Sequence, residues 1–77
     1  MFINRKTLFQ LSNIENDYSD FANNDFVIKL VENLIKQNFN TKNPEKYNVI
    51  YNEIMFELYE MSSNIEEFDD EKIEINI

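Results

Sequence analysis

The chain has 77 residues and a formal net charge of −8, and it contains no Cys, no His and no Gly. A chain this short forms one small domain with a thin core, since only roughly 60–65% of its unfolded surface can be buried. Without Cys or His it has no disulfide, zinc site or iron–sulfur site, so apolar packing must hold it together. Hydrophobic residues make up 43% of the chain and aromatic residues 14%, which is sufficient for a core.

The sequence predicts a cytoplasmic location. Polar residues interrupt the apolar runs among the first twenty positions, so we expect no secretory signal. No apolar stretch approaches the ~20 residues of a membrane span. The absence of Cys is typical of a reducing compartment. Residues with GC-rich codons are scarce, with one Pro, one Ala and one Arg. This composition indicates an AT-rich bacterium, its phages or its plasmids, so the expected compartment is a bacterial cytoplasm.

The first predicted element is a helix over residues 7–22. Apolar residues recur there at intervals of three or four positions, as on one face of a helix. They are Leu8, Leu11, Ile14, Tyr18 and Phe21. Polar residues such as Ser12 and Asn13 weaken the helix preference of this segment, because their side chains can bond to nearby backbone groups.

Two further helices are predicted, over residues 25–38 and 44–62, joined by a short polar connection. Asn24 and Asn43 precede them as N-cap residues, and Pro44 suits the first helical position. The apolar face of the former consists of Phe26, Val27, Leu30, Val31, Leu34 and Ile35. The apolar face of the latter consists of Tyr47, Ile50, Tyr51, Ile54, Leu58 and Met61. Together they indicate a helical hairpin.

The last six residues, 72–77, alternate polar and apolar, which is a strand pattern. Because a lone strand leaves its backbone groups unpaired, three arrangements are open: pairing with residues 1–3, addition to a partner's sheet, or a simple tail. The expected fold is a single all-α domain over residues 1–77. It is a three-helix bundle, a hairpin plus an N-terminal helix, with an acidic tail over about residues 63–77. The expected core is Leu11, Ile14, Leu30, Leu34, Ile50, Ile54 and Leu58.

The negative charge is concentrated in one part of the chain. Residues 1–46 carry six acidic and six basic residues, and Lys72 and Glu74 balance each other near the end. The whole excess lies in residues 47–71, which contain eight acidic residues and no Lys or Arg. The predicted partner-binding residues are Glu53, Glu57, Glu60, Glu66, Glu67, Asp69, Asp70, Glu71 and Glu74.

Two interpretations of this acidic region are open. It is either a solvated helix face that continues into a soluble tail, or a surface that binds a Lys/Arg-rich groove. The one-sided distribution favours the second, since a chain selected only for solubility would mix its signs. Such grooves are typical of proteins that hold nucleic acid, so the predicted partner is a basic, nucleic-acid-binding protein. The negative field disfavours direct contact with nucleic acid or with a membrane.

The sequence predicts no catalytic residue, no cofactor and no metal site. Without His, none of the four Ser residues can form a hydrolase triad, and without Gly a phosphate-binding loop is disfavoured. The acidic run over residues 66–71 lacks the alternating ligands and the turn Gly of an EF-hand. A helix-turn-helix interpretation of the hairpin is also disfavoured, because its recognition helix would carry Glu53, Glu57 and Glu60 towards phosphate.

In size and charge the chain is similar to the small acidic proteins with which phages and plasmids block nucleic-acid enzymes, including anti-CRISPR and anti-restriction proteins. No specific motif is shared. The likeness implies an inhibitor that occupies a basic groove through residues 53–74 and acts without turnover. Alternatives are an immunity protein or antitoxin that neutralises a nuclease toxin, and a structural or adaptor subunit whose apolar helix faces form an oligomer. Association into a homodimer is also open.

Overall fold

The computed structural model describes residues 1–14 and 17–77 of the chain. Its elements, in chain order, are β1 (Phe2–Asn4), α1 (Arg5–Ser12), α2 (Tyr18–Ala22), α3 (Asp25–Asn38), α4 (Pro44–Ser63) and β2 (Lys72–Glu74). A single 3-10 turn, Ile65–Glu67, follows α4. The all-α expectation is confirmed only as a mostly helical fold, because the described residues form four α-helices instead of three, together with a small two-stranded sheet. None of these helices has the length and apolarity that crossing a bilayer requires.

The prediction of one continuous helix over residues 7–22 is wrong. Glu15 and Asn16 lie outside the described residues, but α1 ends before them and α2 begins after them. At the end of α1, the Ser12 hydroxyl and the Asn13 side-chain amide both donate to one backbone carbonyl of the preceding turn. Such side-chain bonds offer the backbone an alternative to the helical ladder. Local hydrogen bonding therefore overrides an apolar spacing that continues through the segment.

Each of the four helices begins at an Asn or Asp whose side-chain oxygen accepts a backbone N–H from the first turn. These N-cap residues are Asn4, Asp17, Asn24 and Asn43. Asn43 accepts from two successive amides at 2.9 and 3.3 Å, and Pro44 follows it. An N-cap of this kind stabilises its helix by about 1 kcal/mol. The predicted caps and bounds of α3 and α4 are confirmed to within one residue.

The central element is α4, which contacts α1, α2 and α3. The buried apolar residues are Ile3, Leu8, Leu11, Phe21, Val27, Val31, Leu34, Ile35, Ile50, Ile54, Met55, Leu58, Met61, Ile73 and Ile75. Five of the seven residues expected in the core are among them, whereas Ile14 and Leu30 are only partly buried and pack against it. Met55 lies outside the predicted apolar face but is buried, because three helices together cover a wide arc of α4.

The two strands bring distant parts of the chain together. β1 and β2 are antiparallel, and the facing residues are Phe2 with Glu74, Ile3 with Ile73, and Asn4 with Lys72. The two central Ile residues are buried, while their neighbours in each strand are exposed. Three arrangements were open for residues 72–77, and the structure shows the first of them, pairing with the beginning of the chain. The strand is shorter than predicted: Ile75 is still buried beyond it, but Ile77 is exposed.

Candidate partner-binding surface

The outer face of α4 carries acidic and apolar side chains together. Glu53 and Glu60 are exposed, and Glu57 is half-buried at the edge of this face. Val49 and Phe56 share the face and leave 57% and 51% of their surface exposed. These residues follow the spacing of neighbours on one side of a helix. The face that carries Glu53, Glu57 and Glu60 therefore also carries an exposed aromatic ring and an exposed Val.

A cluster of aromatic rings supports Phe56 from one side. The ring centroid of Tyr18, in α2, lies 5.9 Å from that of Phe56 and 5.1 Å from that of Tyr59. Phe21 completes the cluster, with its centroid 5.3 Å from that of Tyr59. All three contacts are edge-to-face, a geometry that contributes about 0.5–1.5 kcal/mol per pair beyond the burial of apolar area. The cluster fixes α2 against α4 and places the ring of Phe56 at the edge of the outer face.

The acidic run after α4 is folded along α1, and residues 64–71 are called the acidic strap below. Its two apolar residues, Ile65 and Phe68, are half-buried and pack against the core. Its exposed carboxylates are Glu66, Glu67, Asp69, Asp70 and Glu71. Near its beginning, Ile65 lines a cavity together with Leu11, close to the C-terminal end of α1. The strap then runs towards the N-terminal end of the same helix.

Arg5, the first residue of α1, holds the far end of the strap. Its backbone N–H donates a 2.8 Å hydrogen bond to the carbonyl of Glu71. Its Nε–H donates a 2.6 Å hydrogen bond to the carbonyl of Phe68. The guanidinium thus bonds to the strap's backbone and leaves the carboxylates facing outward. Among the described residues, no salt bridge joins a strap carboxylate to a Lys or Arg side chain.

Replacing Arg5 with Ala should lower the free energy of unfolding by about 1–2 kcal/mol, because the Phe68 carbonyl loses a charged donor. The backbone bond to Glu71 remains, so we expect the strap to loosen without detaching. Chemical denaturation measures the loss, and amide hydrogen exchange over residues 65–71 should become faster. Lys6→Ala is the matched control, since it removes the same charge from an exposed neighbour. Equal exchange rates in the two variants would show that the guanidinium does not hold the strap.

A groove of about 200 Å³ lies beside β2 and gathers part of the predicted set. It is lined by Glu67, Phe68, Asp69, Asp70, Lys72, Ile73 and Glu74. Four of the nine predicted partner-binding residues are therefore brought together here, with one Lys among them. Glu66 and Glu71 belong to the strap but do not line the groove. Glu53, Glu57 and Glu60 of α4 do not line it either, so the acidic surface has two separate parts.

In the part of the chain that the structure describes, no group of three or more Asp and Glu side chains is placed to hold a metal ion. Burial raises the pKa of the Tyr51 phenol above its ordinary value of 10.0, and the nearby Glu32 and Tyr47 raise it further. Tyr51 lies on the opposite side of α4 from Glu53, and its proton has no part in the acidic surface.

Sequence reasoning missed three contributors to this surface. Val49 and Phe56 are seven positions apart, a spacing typical of one helical face, so a signal for a second apolar stripe was present. The role of Arg5 has no such signal, because its contacts lie more than sixty residues away along the chain. Comparison with protein-family models, with curated protein sequences and with solved structures finds no match to this chain.

Proposed function

We propose that this chain is a non-catalytic acidic binding protein that inhibits a nucleic-acid-processing protein by occupying its basic groove. The observation that carries the proposal is the order of the acidic strap, whose carboxylates project from a segment tied to α1 and pair with no cation of the described residues. Charges on a folded segment keep fixed positions, as phosphates do along a nucleic acid. Binding to this folded segment also costs less conformational entropy than binding that must order a disordered tail.

Repulsion within the acidic surface supports the same function. Glu53, Glu57 and Glu60 lie four and three positions apart on α4, and like charges at this spacing each cost roughly 0.2–0.5 kcal/mol. A basic partner would relieve this repulsion on binding. The field of the acidic surface would also accelerate the encounter with such a partner. The size, the charge and the lack of nucleophile–base pairs fit a counter-defence protein of a phage or plasmid.

Affinity capture with three forms of the chain tests the proposal. The strap variant E66Q/E67Q/D69N/D70N removes four negative charges from the strap. The control variant D20N/D25N/E32Q/E45Q removes four exposed negative charges from the rest of the chain. We expect wild type and control to recover the same basic protein from a bacterial lysate, and the strap variant to recover less of it. Equal recovery by all three forms would contradict the proposal.

The mode of inhibition provides a second prediction. A protein that blocks a groove acts by occupancy, so inhibition of the captured protein's nucleic-acid binding should saturate near one chain per site. It should be independent of incubation time and should reverse on dilution. An electrophoretic mobility-shift titration measures this stoichiometry. Progressive loss of binding at substoichiometric amounts of the chain would indicate turnover, and the non-catalytic assignment would be wrong.

A further inference from the structure

Among the described residues, no strand pairs with one edge of β2. The backbone groups of Glu71 and Ile75 bond to the beginning of the chain, at 2.8 and 2.7 Å. In an antiparallel ladder, successive residues direct their N–H and C=O groups to opposite edges of the strand. The N–H and C=O groups of Lys72 and Glu74 therefore point away from β1. The sheet of the described residues has only two strands, and both of these residues are exposed.

An edge of this kind is suited to pairing with another strand. It presents two donors and two acceptors in extended geometry, and an exposed edge strand is a template for strand addition. A groove lined by strap residues such as Phe68 and by all three residues of β2 lies next to the strand.

β2 is complementary in charge to a second copy of itself. When two β2 strands run antiparallel about a two-fold axis at Ile73, Lys72 of each copy faces Glu74 of the other. Opposite charges directly across an antiparallel pair stabilise it. Within one chain these two side chains face Asn4 and Phe2 of β1, and among the described residues neither forms a salt bridge. Their charges are therefore available to a second copy.

The same register keeps the acidic residues of the two copies apart. Continuing the pairing beyond β2 places Glu71 of one copy opposite Ile75 of the other, and Asp70 opposite Asn76. No carboxylate faces a carboxylate across the axis. A shift of the register by two residues in one direction would instead pair Lys72 with Lys72, and in the other direction Glu74 with Glu74. Charge therefore selects one register among those that preserve the pattern of hydrogen bonds.

We propose that the exposed edge of β2 is a docking surface for a second copy of the chain. The product is a four-stranded antiparallel sheet, in the order β1–β2–β2–β1, with two Lys72–Glu74 pairs across the axis. Contacts of this symmetric kind are the commonest basis of closed dimers. A second copy fits better than a basic segment of another protein, because the edge itself presents one cation and one anion. This inference does not rest on the proposed function, although the dimer would carry two acidic straps.

Sedimentation equilibrium with charge variants tests the proposal. We expect the wild-type chain to dimerise as its concentration is raised to about 1 mM. K72E makes the net charge more negative and E74K makes it less negative, yet each replaces both opposite-charge pairs with like-charge pairs. Both should weaken dimerisation by about tenfold, and K72E/E74K, which restores the pairs, should recover it. Circular dichroism checks that each variant keeps its helices.

Three results would overturn the proposal. A wild-type chain that stays monomeric throughout the concentration range would do so. So would an E74K variant that associates more strongly than wild type, since net charge alone would then govern association. The third result is a chain that stays monomeric but binds a Lys-rich, strand-forming peptide, as shown by shifts in the amide resonances of Lys72 and Glu74. The edge would then bind a basic segment of another protein.

Disulfide cross-linking tests the register separately. The natural chain has no Cys, so K72C and E74C each introduce a single thiol. Facing residues of a hydrogen-bonded antiparallel pair have Cα atoms about 5.5 Å apart, which lies within the range of a disulfide. We expect disulfide dimers when K72C and E74C are mixed and mildly oxidised, and few in either variant alone. A mixture of E53C and E60C, both on exposed α4 positions, is the control, and equal yields in all samples would contradict the register.

Discussion

Replacing Ile54 with Ala is expected to lower the free energy of unfolding by about 2–4 kcal/mol. Ile54 has no exposed surface and lies on the inner side of α4, the helix that contacts all three others. Truncation removes apolar contacts and leaves a cavity that the surrounding helices can only partly fill. Small domains are stable by only about 5–15 kcal/mol in total, so this single change removes a large share of the stability.

Urea denaturation measures this loss, and Val49→Ala is the matched control on the same helix. Val49 is 57% exposed, so its truncation should change stability by no more than about 0.5 kcal/mol. Should Ile54→Ala prove too unstable to purify, Ile54→Val should cost about 0.5–1.5 kcal/mol. A change below about 0.5 kcal/mol for Ile54→Ala would mean that the inner side of α4 is not tightly packed.

The parts of the fold that sequence predicts well are those whose determinants are local. α3 and α4 each combine an Asn cap with apolar residues at helical spacing, and both signals agree on where the helix begins. The first helix was extended too far because its apolar spacing continues past Asn13, whose side chain ends α1. β1 is three residues long and contains one buried residue, Ile3, so its pattern is too short to decide between pairing with residues 1–3 and the other two arrangements.

The candidate site divides in the same way. The concentration of acidic residues after position 46 is a property of the sequence, and it needs no structure to be seen. The path of the strap depends on Arg5, Ile65 and Phe68, whose contacts join distant parts of the chain. The spacing of apolar residues along the sequence predicts helices and strands, but it carries no information about contacts between distant segments. The sequence therefore shows where the acidic residues are concentrated, and the structure was needed to find which of them lie on a folded segment.

Neutralising the strap is expected to slow association with the captured basic partner by about tenfold at low salt, with a smaller effect on release. The amide side chains of the E66Q/E67Q/D69N/D70N variant carry no charge, so these four positions no longer attract the partner over long range. Physiological salt screens such attraction beyond about 8 Å, so the difference from wild type should shrink as salt is added. Single substitutions are not informative, because an exposed pair is worth only about 0–1 kcal/mol.

Stopped-flow kinetics at several salt concentrations measures this effect. E53Q/E57Q/E60Q tests the α4 part of the surface in the same way, and it should leave thermal stability unchanged or raise it by removing repulsion. The four-charge control D20N/D25N/E32Q/E45Q should associate faster than the strap variant. If neither acidic variant nor added salt changes the association rate, the contact lies on apolar surface. Phe56→Ala should then slow association.

The pairing of β1 with β2 also governs the order in which this chain can fold. Ile3 and Ile73 are about 70 residues apart along the chain, so nearly the whole chain forms the loop that their contact closes. Closing that loop costs about 2 kcal/mol more in chain entropy than closing the short connection between α3 and α4. During synthesis, Ile3 emerges from the ribosome long before its partner strand exists. The helical hairpin can therefore assemble first, while β1 remains unpaired until β2 has been synthesised.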